Sequence, residues 1–285
     1  MLNAEMRSLI HHLELTTKKL VSGPLLGNSR SMIKGSGFEF LQLRDYVQGD
    51  DIRFIDWKAS TRANKMLVRQ YLEDRMRNVY IVVDISASIG YCSGTVSRID
   101  VVKQLAGMLA FVAHHSKDLV GLILYTSEVE MVIPPSASRA HVFSLVQTIF
   151  TYKPRHRTTD SSAPLAYLSR LKAKKAILCF ISDFNDILDK QLLSLVARRH
   201  ELLAFRCLDE RERTFPSVGS LIFEDSETGI QQEVDGSKDL NETFTGWHRK
   251  QKELLQSAKV ACLDITAGKE FTGDLVRFLR QKTVV

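Results

Sequence analysis

Side chains that carry oxygen follow two apolar segments of this sequence, and a polar loop between the segments adds more. The residues at these three places are Asp84, Ser86 and Ser88, then Thr158, Thr159 and Asp160, and finally Asp183. The two strand-end carboxylates, Asp84 and Asp183, together with several hydroxyls suit a hard, six-coordinate cation such as Mg²⁺ or Mn²⁺. The set contains no cysteine or histidine, which disfavours zinc. If the hydroxyls bind the ion and the aspartates act through water, the metal stays electrophilic and can accept a carboxylate from another molecule.

The segments around these residues alternate between strand-like and helical patterns from Asn78 onward. The predicted strands are 79–84, 119–126, 129–134, 176–182, 202–208, 220–223 and 259–264. The predicted helices are 98–115, 139–150, 163–171, 188–199, 238–257 and 270–281. Strands that are apolar on both faces and alternate with helices indicate an α/β fold, a doubly wound and mostly parallel sheet. The partner strand that begins near Glu128 predicts one antiparallel edge.

This fold places the oxygen-bearing side chains together. In open parallel sheets ligands bind at the carboxyl ends of the strands. Asp84 follows the first predicted strand and Asp183 follows another, so both belong to that edge. The alternative interpretation of Asp84, Ser86 and Ser88 is a turn or helix cap, which these residue types also favour.

Composition limits the class of protein. The chain has 285 residues, is 44% hydrophobic and carries a formal net charge of +6. No apolar stretch approaches the ~18 residues that a membrane span needs, and the start does not resemble a signal peptide, so we expect no membrane insertion and a cytoplasmic location. The four cysteines are widely spaced, which favours neither a disulfide framework nor a zinc site, and Cys179 and Cys207 lie in apolar runs as core residues do. Because the basic residues are scattered, we expect a solvated surface and no nucleic-acid partner.

The composition and hydrophobic pattern of the sequence change near residue 78, which divides the chain into an N-terminal extension, 1–77, and an α/β domain, 78–285. The extension contains a polar amphipathic segment, a glycine- and serine-rich stretch and a charged segment that is rich in aromatic residues. These aromatic residues can anchor the charged segment to a core. We therefore expect the extension to be folded.

The motif "DISAS", followed by a threonine loop and then "ISDF", resembles the metal-ion-dependent adhesion site (MIDAS) of von Willebrand factor type A (vWA) domains, a Rossmann-like fold. The pattern is DxSxS, then T, then D. The resemblance implies a metal site formed by Asp84, Ser86, Ser88, Thr159 and Asp183. Arg157 and Thr158 stand where the family has glycines, so Thr158 stays an alternative to Thr159. Asp186 follows closely enough to be an alternative to Asp183.

The segment "LRDYVQGDDIRFIDWKASTRANKMLVRQYLEDR" resembles the signature of the bacterial domain-of-unknown-function family 58 (DUF58), which precedes a type A domain in its members. The matching residues are Arg44, Tyr46, Gly49, Asp50, Asp51, Arg53, Ile55, Asp56, Trp57 and Arg62. The resemblance, which runs from about Gly35 to the C terminus, implies association with MoxR-type AAA+ ATPases in chaperone-like systems. We therefore expect a Mg²⁺-dependent adaptor and not an enzyme. Its partner would be such an ATPase or a client protein that supplies an acidic residue.

The competing interpretation is a Mg²⁺-dependent phosphoesterase. Such an enzyme would need a DxD pair, and Ser86 stands in its second position. No serine has an adjacent histidine base, and there is no GxxxxGK[ST] loop for ATP.

Two further segments allow alternative interpretations. In the signature segment we expect a structural clasp in which Asp50, Asp51 and Asp56 pair with Arg53 and Arg62 while Trp57 packs underneath. The alternative for this segment is a direct catalytic role. The basic residues beside the threonine loop are either a solvated face or an electropositive collar that attracts an acidic partner. These residues are Arg155, His156 and Arg157.

Overall fold

A computed structural model describes residues 4–22, 39–72, 76–172, 175–213, 219–235 and 240–283. The strands are β1 Glu39–Asp45, β2 Leu67–Leu72, β3 Asn78–Asp84, β4 Leu119–Tyr125, β5 Val129–Ser136, β6 Ile177–Ser182, β7 Glu201–Leu208, β8 Ser220–Glu224, β9 Gln231–Asp235 and β10 Ala261–Thr266. The helices are α1 Ala4–Ser22, α2 Trp57–Ala63, α3 Arg98–His115, α4 Arg139–Thr151, α5 Ser162–Ser169, α6 Lys190–Arg199, α7 Glu210–Arg213, α8 Leu240–Ser257 and α9 Thr272–Thr283. The described residues also include the short 3₁₀ helices Ile52–Phe54 and Ala87–Gly90.

The central sheet has six strands in the order β10-β7-β6-β3-β4-β5. All neighbours pair in parallel except β4 and β5, which are joined by a short connection and pair antiparallel at the edge. This confirms the predicted α/β fold with a mainly parallel sheet and one antiparallel edge strand. The chain runs outward from β3 to β5 and then returns to the other side of β3 as β6. The strand order therefore reverses between β3 and β6, the kind of position where such sheets bind ligands.

Helices cover both faces of the sheet. Along β3, Ile81 and Val83 belong to one buried apolar cluster, whereas Tyr80 and Val82 belong to another. Successive side chains of a strand point to opposite faces, so a strand that is buried on both faces is a continuous apolar run. The first cluster includes residues of α1, α3, α4 and α9, and the second includes residues of α5, α6 and α8. Cys179 and Cys207 are buried in the first cluster, as predicted.

The N-terminal helix α1 packs on α3 and α4 through Ile10 and Leu13. Gly107 of α3 permits this close approach, because a Cβ at that position would lie 3.2 Å from Leu13 Cδ1. Residues 1–27 and 77–285 form one compact unit, and residues 28–76 form a second. The boundary between 77 and 78 stays a prediction about domains. No helix among the described segments is both long enough and apolar enough to cross a membrane.

The second unit contains the antiparallel pair β1 and β2, with α2 in the connection between them. Three of its arginines make ion pairs with aspartates: Arg44 with Asp50 at 2.6 Å, Arg53 with Asp51 at 2.6 Å, and Arg69 with Asp56 at 2.9 Å. The Asp51–Arg53 pair of the expected clasp is therefore confirmed.

The other predicted contacts of the clasp are wrong. Asp50 pairs with Arg44 and Asp56 pairs with Arg69, so both have partners other than the predicted ones. Asp56 precedes α2, and its Oδ1 accepts a hydrogen bond from the Ala59 amide at 3.0 Å, so its carboxylate faces the helix start and Arg69. Trp57 begins α2 on its outer side and is 66% exposed, so it does not pack underneath the ion pairs.

Candidate functional site

Asp84 ends β3 and is buried. Its Oδ1 accepts a hydrogen bond from the Ser86 amide at 2.9 Å, and its Oδ2 accepts one from the Ser182 hydroxyl at 2.8 Å. The neighbouring strand β4 continues the pairing past the strand end, because the Ile85 amide donates to the Tyr125 carbonyl at 3.0 Å. Both carboxylate oxygens of Asp84 therefore have fixed positions at the carboxyl edge of the sheet.

The hydroxyls of Ser86 and Ser88 are hydrogen-bonded to each other, with their oxygens 3.0 Å apart. Ser86 precedes the 3₁₀ helix Ala87–Gly90, yet its side chain makes no capping hydrogen bond. The alternative interpretation is thus confirmed in part: Asp84 forms a turn with the Ser86 amide, whereas the side chain of Ser86 does not cap the helix. In an octahedral Mg²⁺ site with bonds of roughly 2.1 Å, adjacent ligand oxygens are about 3 Å apart. The spacing of the two hydroxyls fits such an ion.

The threonine loop lies at the same edge of the sheet. The Ala87 amide donates to the Arg157 carbonyl at 2.9 Å, and the Asp160 amide donates to the Thr126 carbonyl at 3.1 Å. These two bonds connect the loop to the serine motif and to the end of β4. Thr159 is half-buried, whereas Thr158 is exposed.

Thr159 itself bonds to a glutamate from a distant part of the chain. Its hydroxyl donates to Glu227 Oε1 at 2.5 Å, and its amide donates to Glu227 Oε2 at 3.1 Å. Glu227 lies in the turn between β8 and β9, and the Arg157 guanidinium donates to the carbonyl of Ser226 in the same turn at 2.9 Å. A carboxylate of this chain therefore already contacts one of the predicted ligands.

Asp183 follows β6 and is buried beside a buried arginine. Its Oδ2 accepts a hydrogen bond from Arg98 at 2.6 Å, and its Oδ1 accepts one from the Asn185 amide at 3.1 Å. Arg98 also donates to Glu212 Oε1 at 2.8 Å. The negative charge of Asp183 is therefore compensated within the chain.

Asp186, the alternative to Asp183, is engaged elsewhere. Its carboxylate accepts hydrogen bonds from the amide and the hydroxyl of Ser161, at 2.6 and 2.9 Å. Burial raises the pKa of Asp186 above its usual value. These bonds connect the strand end of β6 to the start of α5.

Burial raises the pKa of Asp84 to about 7, and the negative charge of Asp183 raises it further toward that value. A buried carboxylate without a cation is unfavourable, and a divalent cation beside it would relieve both effects. Among the described residues, no three His, Cys, Asp or Glu side chains gather as a metal-ligand group. A cation at this edge would therefore depend on hydroxyl oxygens, and the serine pair supplies two.

The structure thus brings Asp84, Ser86 and Ser88 together, places Asp183 beside them, and attaches the Thr159 loop through its backbone. Four contributors were not predicted from the sequence: Ser182, Arg98, Glu212 and Glu227. One signal for Arg98 was present. A cation at the first residue of a helix opposes the helix dipole, so an arginine at the start of the predicted helix 98–115 required a compensating acidic group.

Two of the three basic residues beside the threonine loop are bonded within the chain. Arg157 bonds to Ser226, and His156 Nε2 lies 3.2 Å from a carboxylate oxygen of Glu128. The Arg155 amide donates to Glu130 at 2.9 Å, and its side chain is exposed. The electropositive collar stays a prediction.

Comparison with known proteins identifies the family. The family model described as "Protein of unknown function DUF58" matches residues 42–254, most of the chain. The chain belongs to the DUF58 family. This confirms the family part of the resemblance that the signature segment indicated.

Relatives and solved structures similar to this DUF58 chain carry little functional description. The chain is 27% identical over 285 residues to Uncharacterized protein Rv1480 of Mycobacterium tuberculosis and to Uncharacterized protein Mb1516 of Mycobacterium bovis, covering 98% of this chain and 90% of each relative. The crystal structure of the conserved hypothetical protein BatB from Bacteroides thetaiotaomicron matches with a TM-score of 0.51 and 12% identity, over 73% of this chain and 100% of that one. The BatB likeness shows a shared α/β fold.

Proposed function

We propose that this DUF58 chain is a protein interaction module that depends on a divalent cation, Mg²⁺ or Mn²⁺. The observation that carries the proposal is the pair of hydroxyl oxygens 3.0 Å apart, Ser86 and Ser88, beside the buried carboxylate of Asp84. They lie where the strand order reverses, between β3 and β6. Within the α/β class, the proposed fold is that of von Willebrand factor type A domains, and this edge of the sheet is the proposed metal-ion-dependent adhesion site.

In this proposal Ser86, Ser88 and Thr159 contribute hydroxyl oxygens to the ion. Asp84 and Asp183 hold coordinated waters or contact the ion, and Asp183 does so while it is paired with Arg98. An ion with few charged ligands keeps its affinity for a further hard oxygen. The ion would therefore bind a carboxylate from a partner, and the chain would act as an adaptor and not as an enzyme.

The proposed partner is a MoxR-type AAA+ ATPase of the same bacterium, or a client protein that carries an acidic residue. The signature segment supports this proposal through its resemblance to family members that accompany such ATPases. The chain has no nucleotide-binding loop of the GxxxxGK[ST] kind, so an ATP-dependent system would need a second protein.

The test is capture of the ATPase by the tagged full chain in Mg²⁺ and in EDTA. The Asp84→Ala variant is expected to lose capture in Mg²⁺, because the ion loses its buried anchor. Asp274→Ala, which removes an exposed aspartate of α9, is the matched control and should capture as the wild type does. Circular dichroism checks that both variants are folded. Undiminished capture in EDTA would contradict the proposal.

A further inference from the structure

The strands β8 and β9 form a hairpin that is separate from the central sheet. They pair only with each other among the described strands, in a register that runs from Ser220 opposite Asp235 to Glu224 opposite Gln231. An isolated two-stranded hairpin is marginally stable in water. Phe223 of β8 lies near Phe244 of α8, with the ring centroids 6.5 Å apart, and the tip makes a second set of contacts with the rest of the chain.

The turn at the tip, 225–230, has a defined conformation. The Asp225 carboxylate accepts hydrogen bonds from the amides of Glu227 at 2.8 Å and Thr228 at 3.2 Å. Gly229 adopts φ +73°, a left-handed conformation that favours glycine. Its amide donates to the Asp225 carbonyl at 2.7 Å. The turn thus holds the backbone of Glu227 in one arrangement and leaves its side chain to bond outward.

The tip attaches to the threonine loop through three hydrogen bonds. Both carboxylate oxygens of Glu227 accept from Thr159, one from the hydroxyl and one from the amide, and the Ser226 carbonyl accepts from Arg157. The hydroxyl of Thr159 has a single proton, so it can donate to one carboxylate at a time. A second carboxylate at Thr159 would also be repelled by the charge of Glu227.

We propose that Glu227 is an internal carboxylate ligand of the cation site, an inference that rests on the proposed function. In the isolated chain its carboxylate completes the site at Thr159, where the partner's carboxylate would otherwise bind. The tip of the hairpin must be released before a partner engages the ion. The hairpin thus makes partner binding depend on a conformational change in residues 220–235.

The test uses Mn²⁺ alone as the probe and Glu227→Gln as the variant. Glutamine keeps the size of the side chain but removes the charge that attracts the ion. We expect the Mn²⁺ affinity to fall by about tenfold in calorimetric titration, because ion affinity depends on the number of charged ligands. Glu224→Gln removes a charge from the same hairpin, where Glu224 bonds to Gln231, and it should leave the affinity unchanged.

Amide hydrogen exchange of the hairpin gives a second readout. In the wild type, Mn²⁺ should slow exchange of the amides in 219–235, because the ion holds the tip in place. In Glu227→Gln this slowing should be lost, while exchange in β3 and β6 stays as in the wild type.

Two outcomes would overturn the proposal in different ways. If Glu227→Gln binds Mn²⁺ as tightly as the wild type, Glu227 is not a ligand, and the proposed function is unaffected. If the wild type binds no Mn²⁺, the proposed function fails and the internal ligand fails with it.

Discussion

Asp84 and Asp183 end two neighbouring strands, both are buried, and their charges are compensated in different ways. Asp183 bonds to the guanidinium of Arg98, which also pairs with Glu212. Asp84 receives hydrogen bonds from the Ser86 amide and the Ser182 hydroxyl, which are neutral groups. Neutral donors stabilise a buried carboxylate less than a cation does. The chain thus supplies its own cation on one side of the β3/β6 junction, and under the proposed function an ion from solution would compensate the other side.

Removing Arg98 should have the largest effect on stability. Arg98→Met leaves Asp183 and Glu212 without their cation, and breaking a buried ion pair costs about 3–5 kcal/mol. Urea denaturation in EDTA would measure the loss. A second substitution, Asp183→Asn, should recover part of it, because it removes the charge left uncompensated. A loss below about 1 kcal/mol for Arg98→Met would show that the pair is not the compensation we describe.

In the absence of metal, neutralising Asp84 should stabilise the folded chain, whereas removing Arg98 should destabilise it. The pKa of Asp84 is raised from 3.8 to about 7, so the folded wild type in EDTA should lose stability as the pH rises from about 4 to about 7. Asp84→Asn lacks this loss and should be more stable than the wild type at pH 8, by about 4 kcal/mol. Denaturation curves between pH 5 and pH 8 would test this. Parallel pH dependences for the two proteins would contradict it.

Added cation should narrow that difference in stability. At about 100 times its Kd, an ion that binds only the folded state stabilises it by about 2.7 kcal/mol. Mg²⁺ should therefore raise the Tm of the wild type at pH 8 by several degrees and leave that of Asp84→Asn unchanged. An equal rise in both proteins would place the ion elsewhere.

The smallest effect is expected in the second unit, where ion pairs are exposed to solvent. Arg53 pairs with Asp51 on the surface, and exposed pairs of this kind contribute little to stability. Arg53→Ala should leave the Tm of the chain within experimental error. A clear drop would show that the signature segment has a structural role that its exposure does not indicate.

The sequence predicted the sheet well because its strands are buried on both faces and produce continuous apolar runs, as in 79–84. The helix 98–115 was predicted with its observed bounds, since Ser97 provides the cap: its side chain accepts from the Asp100 amide. The late strand was placed at 259–264 but runs from Ala261 to Thr266. The short exposed strand β9 was missed, because polar residues such as Gln231 give no apolar pattern.

The candidate site was predictable only where its residues are close in sequence. Asp84, Ser86 and Ser88 share one strand end, so their spacing sufficed. The bond between Thr159 and Glu227 joins residues 68 positions apart, and that between Arg98 and Asp183 joins residues 85 apart. Such contacts depend on tertiary packing, and no local pattern in a single sequence reveals them. The orientation of Trp57 was not predicted for the same reason.

The central claim is that the carboxyl edge of the sheet binds a divalent cation through two serine hydroxyls. Calorimetric titration of the full chain with Mn²⁺ at pH 8 tests it most directly, with the double variant Ser86→Ala/Ser88→Ala beside the wild type. We expect one ion per chain in the wild type and at least about tenfold weaker binding in the double variant, since both substitutions remove ligand oxygens without adding charge. Equal binding by the two proteins, or no binding by the wild type, would contradict the claim.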